Sequence, residues 1–442
     1  MADKRKILVV DTGLALDVVR KLAQEGNEVY YFENWIKAHP EQEDLSYGEG
    51  LFEEWGVNRV DNFWHLVDDV DMVLFTDIGW GDDIDFLRRE GCVVFGAGKE
   101  GEELENDRVF AKSVCKENGL RVPETYSMSP DEAIDFVKGE DREFVLKFSK
   151  VRTDLLSTYL PVCKEDCLWY LNKVKELDSN VEVILEERIE GVECAISGFF
   201  NGYEFVEPYL INFEHKKLMD GEVGPNTGEM GNCAIYTYNS GLPFVKYFNN
   251  LSGYLKDIGY RGIIDIDCMC NEDGFYVLEF TCRFGYPMIM IQSVLHKDNL
   301  GDILFGVATG EIDRFEAYDN LWVVGVCLNI AGYPFDDVVK KSGFVKIFGL
   351  EEALENGYKI GFQALCKKED GYYSVPGHGR VLVINGTGDD ISSARGNAYG
   401  ALDYIGFSDM MYRLDIGLKV EKRLDNLVEW GVIDDKKSGI KY

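Results

Sequence analysis

Seventeen residues from His215 to Gly231, HKKLMDGEVGPNTGEMG, bring two lysines, three acids and a turn-dense G-P-N-T-G into one loop, a composition suited to holding an anion. Gly224, Gly228 and Gly231 allow positive φ or close backbone approach, Pro225 fixes one φ, and Asn226 tolerates the left-handed region. His215, Lys216 and Lys217 put cationic and hydrogen-bonding groups just before that segment, as phosphate requires. A second set follows in GIIDIDCMCNEDGFYVLEFTCRFG, residues 262–285. The turn Asn271-Glu272-Asp273-Gly274 between alternating apolar runs predicts a hairpin. Period-2 geometry then puts Asp265 and Asp267 on one face of the first strand, and Glu279, Thr281 and Arg283 on one face of the second. Converging buried acids need a cation or a partner. Either a divalent metal on hard oxygens, magnesium with nucleotide phosphates above all, or an ion pair to Arg261 or Arg283 meets that need.

The elements that must position these residues read as several units. The first hundred residues repeat strand, helix, strand (KILVVD, LDVVRKLAQEG, EVYYF, then DMVLFTD, DDIDFLRREG and CVVFG), which predicts a parallel sheet covered by helices. The first strand ends in Asp11-Thr12-Gly13-Leu14-Ala15, without the G-x-G-x-x-G of a dinucleotide site, so NAD and FAD are not expected. A helix is expected over Asn106–Gly119. An α+β module follows from Pro123 to about Glu193, with Ser129 opening a helix and EFVLKF and EVILEERI as strands. Strands, loops and one helix near Tyr247–Gly259 come next, then strands LWVVGVCLNI and GRVLVI and a helix opening at Asp390. The expected units are 1–105, 106–320 with a small lobe at about 123–193, and 321–442. The fold class is α/β and α+β.

The chain has 442 residues, 46 Lys and Arg, 79 Asp and Glu, and a net charge of −33. That charge opposes binding to nucleic acid or anionic lipid. No apolar run of membrane-spanning length appears, and MADKRKILVV lacks a signal-peptide core, so a cytoplasmic protein is expected. The eleven cysteines, without a CxxC or a Cys/His cluster, read as reduced structural thiols.

The loop at 215–231, LEFTCRFG at 278–285, AGYP at 331–334, GRVL at 379–382 and YRLDIG at 412–417 resemble, in order and spacing, the phosphoribosylamine-glycine ligases, ATP-grasp enzymes of purine synthesis. The resemblance spans most of the chain. It implies an N-terminal α/β domain, a two-lobed ATP-grasp unit that clamps ATP with magnesium or manganese, and a small C-terminal domain. It also implies amide formation from small carboxylate and amine substrates through an acyl phosphate, by a monomer or homodimer. Lys147 resembles the lysine that reaches ATP phosphates, Glu186 and Glu187 the adenine hinge, and Glu193 the ribose acid. His215 and Asn226 belong to the nucleotide loop. Glu279 resembles the metal-bridging glutamate, with Thr281 in place of the family Asn and Asp267 as a compensating ligand. Arg283 and Lys216 are the expected catalytic cations, set against phosphate and acyl phosphate.

Several positions depart from the family. The glycine-rich flap is replaced by Ser149–Leu156, with Lys150 and Arg152 as substitute clamps, and the lysine before the central helix is Arg108. F-G-D-P-E becomes Phe284-Gly285-Tyr286-Pro287-Met288, which loses two acids. The N-terminal sugar-phosphate loop becomes Asp11–Asp17, where an aspartate would repel phosphate, and G-P-E-x-P-L becomes Phe75–Trp80. His296 reads as a surface residue. Three activities remain open: a ligase with a changed amine or acid, the family reaction itself, and a nucleotide binder without turnover.

Overall fold

The computed structural model describes residues 4–34, 47–148, 158–335, 343–377 and 379–435. Five parallel strands form the first sheet: β1 (Lys6–Asp11), β2 (Glu28–Glu33), β3 (Asn58–Arg59), β4 (Met72–Phe75) and β5 (Val94–Phe95), in the order β3-β2-β1-β4-β5. β1 and β4 are near-continuous apolar runs because helices cover both faces. Their carboxyl ends, at Asp11 and Phe75, lie where such sheets receive ligands.

The second unit is a sheet ordered β6-β9-β7-β8. Its strands are β6 (Thr125–Met128), β7 (Phe144–Phe148), β8 (Thr158–Tyr159) and β9 (Val183–Glu187). Helices Pro130–Gly139 and Lys164–Leu177 pack on it around a separate core containing Val137, Leu146, Phe148, Leu171 and Leu185. Ser129 opens the first of these helices with a complete capping box to Glu132, as its sequence indicates.

The largest sheet runs β16-β15-β10-β11-β14-β17-β22-β19, with β23 beside β17. It comprises β10 (Val192–Asn201), β11 (Phe205–Glu214), β14 (Gly231–Thr237), β15 (Arg261–Asn271), β16 (Gly274–Thr281), β17 (Trp322–Pro334), β19 (Lys359–Phe362), β22 (Arg380–Gly388) and β23 (Met410–Met411). β12 (Lys217–Met219) and β13 (Val223–Asn226) form a separate ribbon. β18 (Lys346–Ile347), β20 (Leu365–Lys368) and β21 (Gly371–Ser374) form a small sheet. β14 and β17 are neighbours, so hydrogen bonding is continuous from strands before residue 320 to strands after it.

Two element boundaries differ from the sequence expectation. The helix expected over Asn106–Gly119 runs Arg108–Glu117, because the Asp107 carboxylate accepts from Val109 and Phe110 N–H and ends the preceding helix, Lys99–Asn106. The helix near Tyr247 starts earlier, at Pro243, and passes through a 3₁₀ turn at Asn249–Leu251 before Ser252–Asp257. The Ser149–Leu156 replacement of the flap, His378 and the terminal residues from 436 lie outside the described residues. All eleven cysteines are thiols.

Helix Ile391–Tyr399, capped by Asp390, lies against β22 at glycines. A Cβ on Gly386 would stand 2.1 Å from Ala398 N and 2.3 Å from Ala394 O, both backbone atoms that cannot step aside. Gly386→Ala should therefore destabilise the protein by about 1–3 kcal/mol, read as a lower urea midpoint. An unchanged midpoint would disprove this close packing.

Candidate active site

Four adjacent strands deliver four acids to one place. Asp267 on β15 is directly opposite Glu279 on β16, and Ala195 on β10 pairs with both Asp267 and Asn212, which aligns Glu193 and Glu214 with the same face. Lys216 enters from the loop after β11. Its Nζ lies 2.9 Å from Glu193, 3.0 Å from Glu214, 2.9 Å from Asp267 and 3.2 Å from Glu279. Burial alone would lower the Lys216 pKa, but the four acids, Asp267 first, raise it well above the usual lysine value. Lys216 in turn holds Glu279 at about 2. Burial and then Glu214 push Asp267 well above the carboxylate range, despite Lys216. Lys216, with Arg108 3.8 Å from Glu279, is too little for four carboxylates, and the excess falls on Asp267 and Glu214, both held above their ordinary values by burial first. Asp267 Oδ1 is buried with no hydrogen-bond partner among the described residues.

Glu193, Lys216 and Glu279 line one side of a cleft of about 810 Å³, whose far wall is β7 and β9. On that wall Lys147 Nζ is 2.8 Å from Glu186, and Lys112, from helix Arg108–Glu117, is 2.5 Å from the other Glu186 oxygen. Burial raises the Glu186 carboxyl, but Lys147 and Lys112 outweigh it and keep it below its ordinary value. The Glu186 carboxylate is thus taken up by two lysines. Glu187 lines the cleft, while its backbone N–H donates to Glu124 O at 2.8 Å. Asn226 lines the cleft as well, paired with Lys217 in the ribbon.

The sequence-derived metal set is partly regrouped. Asp267 and Glu279 meet, while Thr281 is opposite Asp265 and lines a smaller cavity of about 160 Å³ with Glu279, Arg108, Lys112, Glu105 and Arg283. Carboxylate oxygens of Glu193, Glu214 and Asp267 lie within 4.8 Å of one another. Glu214 and Lys112 were missed by sequence reading. For Glu214 the signal was its place two residues before Lys216 at the end of an apolar strand. Asp265 takes no arginine either; Ser197 and Asn212 donate to it, and burial pushes it to about 7. Arg283 is held by Glu105 at 3.1 Å and Asp77 at 3.4 Å, which ties β16 to the first sheet.

The expectation that His215 binds nucleotide is also corrected. Its side chain is fully buried and lines neither cavity; Nε2 accepts from Gly417 N–H at 3.0 Å. His296 is half-buried rather than on the surface, with Nε2 2.8 Å from Tyr236 Oη. Asp11 does not face an open anion loop. It is completely buried and accepts from Leu14 and Ala15 N–H, Tyr31 Oη and Thr76 Oγ1, so its carboxylate fills the turn itself. Tyr286 and Met288, where the family has acids, are buried, and Tyr286 Oη donates to Thr76 O at 3.2 Å.

Burial, with Lys419 and Arg413 nearby, keeps His215 neutral well below its usual pKa of 6.5. The unfolded chain binds a proton there that the folded chain does not, so this histidine lowers stability as pH falls through 6.5. His215→Gln retains an acceptor for Gly417. It should show a smaller loss of urea midpoint between about pH 7.5 and 5 than the parent; equal losses would refute the buried neutral assignment.

Two family models match the chain: the ATP-grasp (A) domain of phosphoribosylglycinamide synthetase over residues 106–289, and the C domain of the same enzyme over residues 323–419. The phosphoribosylamine-glycine ligase of Clostridium acetobutylicum is 28% identical over 347 residues, 75% of this chain and 80% of the relative. That of Halalkalibacterium halodurans is 28% identical over 348 residues, 76% and 79% of the two chains. The solved phosphoribosylamine-glycine ligase of Thermotoga maritima superposes with a TM-score of 0.73 at 23% identity, covering 93% of this chain and 100% of that one, and so shares its fold. The acid-ringed lysine, the lysine-bearing wall and the order of motifs thus sit in a known framework, and the chain belongs to the phosphoribosylamine-glycine ligase family of the ATP-grasp superfamily as a divergent member.

Proposed function

We propose that the protein is an ATP-dependent carboxylate-amine ligase whose substrate pocket differs from that of its relatives. The observation that carries this is Lys216 paired with Glu193, Glu214, Asp267 and Glu279, in a cleft that Lys216, Glu193 and Glu279 share with Lys147. The donor set is all hard oxygen, its four acids exceed Lys216 and Arg108 in charge, and Asp267 Oδ1 lacks a partner among the described residues, so a magnesium ion fits it. When bound by Glu279 and Asp267, that ion supplies neutralisation of phosphate charge.

The chain's own residues do the rest. Lys147 and Lys216 hold the transferring phosphoryl group in line with the acid substrate, and Glu187, Glu193 and Asn226 hold the nucleoside. A carboxylate oxygen attacks the γ-phosphorus, the bond to the β-phosphate oxygen breaks, and ADP leaves. The amine nitrogen then attacks the acyl carbon of the acyl phosphate, inorganic phosphate departs, and the nitrogen loses a proton to solvent. The cations stabilise charge that develops in both steps, which accounts for catalysis without a histidine base. The amine is proposed to enter beside the first sheet. The turn after β1 is filled by Asp11, and Tyr286 and Met288 replace the family acids, so the amine or acid differs from that of the relatives. The proposed setting is the cytoplasm.

Phosphate release with magnesium-ATP across a panel of amines and carboxylic acids tests this reading. Turnover with at least one pair is expected. Tight nucleotide binding without turnover on a broad panel would instead indicate a nucleotide-binding homologue. Glu279→Gln should lower turnover by about 100-fold or more while nucleotide affinity stays within about threefold. Unchanged turnover would rule out Glu279 as the metal ligand.

A further inference from the structure

A third cavity, about 300 Å³, opens between helix Leu16–Gln24, the segment Met290–His296 and β19, with Asn385 of β22 at its back. It shares no lining residue with the other two cavities. Asp17, Arg20, Lys21 and Gln24 follow at i, i+3, i+4 and i+7, so one stripe of the helix supplies one wall. Lys359, the first residue of β19, stands exposed at the mouth.

Arg20 is fixed in place. Its guanidinium lies 4.0 Å from the centroid of the Phe362 ring, donates to Ile360 O at 2.7 Å and pairs with Asp17 at 2.5 Å. Asp17 also accepts from Phe362 N–H at 3.2 Å, so the one acid in the wall is satisfied from within. What remains is an excess of cations, from Lys21 and Lys359, in a chain whose net charge is −33. Neither lysine has an ion pair among the described residues. Lys21 is pushed below its usual value by burial, with Asp17 and, less strongly, Glu25 opposing the effect and Arg20 and Lys359 adding to it.

The polar groups at the back are likewise unmatched. Arg20 Nε, Ser293 Oγ, His296 Nδ1 and Asn385 Oδ1 are all buried without a hydrogen-bond partner among the described residues, and each belongs to a residue that lines the cavity. Ser293 is 7% exposed and Asn385 4%. Buried polar groups in folded proteins are almost always paired, so several orphans around one cavity mark a ligand's place. Donors at Arg20, Lys21, Lys359 and Ser293 suit a dianionic oxyanion, and the Asn385 carbonyl oxygen suits a hydroxyl on the same molecule. The volume is at the lower end for ligand sites, which fits a molecule of triose phosphate size and not a nucleotide.

We propose that this cavity binds a small hydroxylated phosphate monoester, at a site separate from the nucleotide cleft. The inference does not depend on the ligase reading, because binding alone tests it. The full chain is titrated calorimetrically with sn-glycerol 3-phosphate, inorganic phosphate and succinate, each with and without a saturating non-hydrolysable ATP analogue and magnesium. Saturable binding of glycerol 3-phosphate is expected, tighter than that of succinate and undiminished by the analogue. The double variant Lys21→Ala, Lys359→Ala should weaken it by about tenfold or more with the analogue's own affinity unchanged. Ser293→Ala removes one oxygen at little risk to the fold and should weaken it severalfold. The proposal is overturned by equal affinity in the parent and both variants, by saturation with neither phosphate, by a preference for succinate, or by competition with the ATP analogue.

Discussion

The arrangement on which the rest of this structure depends is one ammonium group facing four carboxylates. Glu193, Glu214, Asp267 and Glu279 come from four neighbouring strands of one sheet, and like charges so close cannot all remain ionised in a buried place. Lys216 relieves most of that repulsion, and the direction of the Asp267 shift shows what is left over. Sheet register creates the problem and a loop solves it, so the loop must be held firmly. Its anchors come from the far end of the chain. Arg413 donates to Lys217 O and pairs with Glu222 and Asp415, Asp415 accepts from Gly221 N–H, and Gly417 N–H meets His215. Gly228 passes so close to Arg380 that a Cβ would meet its guanidinium, and Arg380 donates to Tyr333 Oη. The motifs at 331–334, 379–382 and 412–417 therefore travel with the loop at 215–231 because they are its mechanical support.

The two ends of the site are built on different terms. At the nucleotide end, cations and acids alternate so that charge can be exchanged with a ligand. At the end nearest the parallel sheet, the polar groups answer one another: Asp11 fills its own turn, Arg283 is shared between Glu105 and Asp77, and Tyr286 reaches Thr76 O. A phosphate offered to that turn would find a buried carboxylate where backbone N–H groups are needed. This supports a changed substrate more directly than the loss of any single family residue.

Much of this was legible in the sequence. The hairpin around Asn271–Gly274 follows from its turn between alternating apolar runs, the facing of Asp267 and Glu279 from the family resemblance, and the capping box at Ser129 from local chemistry. What sequence could not give was partner choice across distant elements. Lys147 was identifiable as a cleft cation, but that Lys112 on a preceding helix would join it on Glu186 depends on tertiary packing. His215 looked like a ligand residue because of its neighbours; only the approach of Gly417 from two hundred residues away shows that it is a buried peg. Asp11 reads in the sequence as hostile to phosphate, but its full set of donors comes from Tyr31 on β2 and from Thr76 just after β4.

The pairing of Lys147 and Lys216 has an energetic consequence for the proposed reaction. Phosphates can take Lys147 and Lys216 only by drawing them from Glu186 and from the four acids, so nucleotide alone would exchange one set of ion pairs for another and leave buried carboxylates uncompensated. A dication arriving with the nucleotide removes that penalty, because it neutralises the acids as the phosphates engage the lysines. In the proposed reaction a preference for the metal complex over the bare nucleotide would thus come from the chain's own ion pairs, and the net charge of −33 would add to it by repelling a free polyanion from the surface. Lys21 and Lys359 stand outside this scheme. They carry charge toward a cavity in which the only acid, Asp17, is already satisfied, so an anion binding there gains attraction without breaking an existing pair.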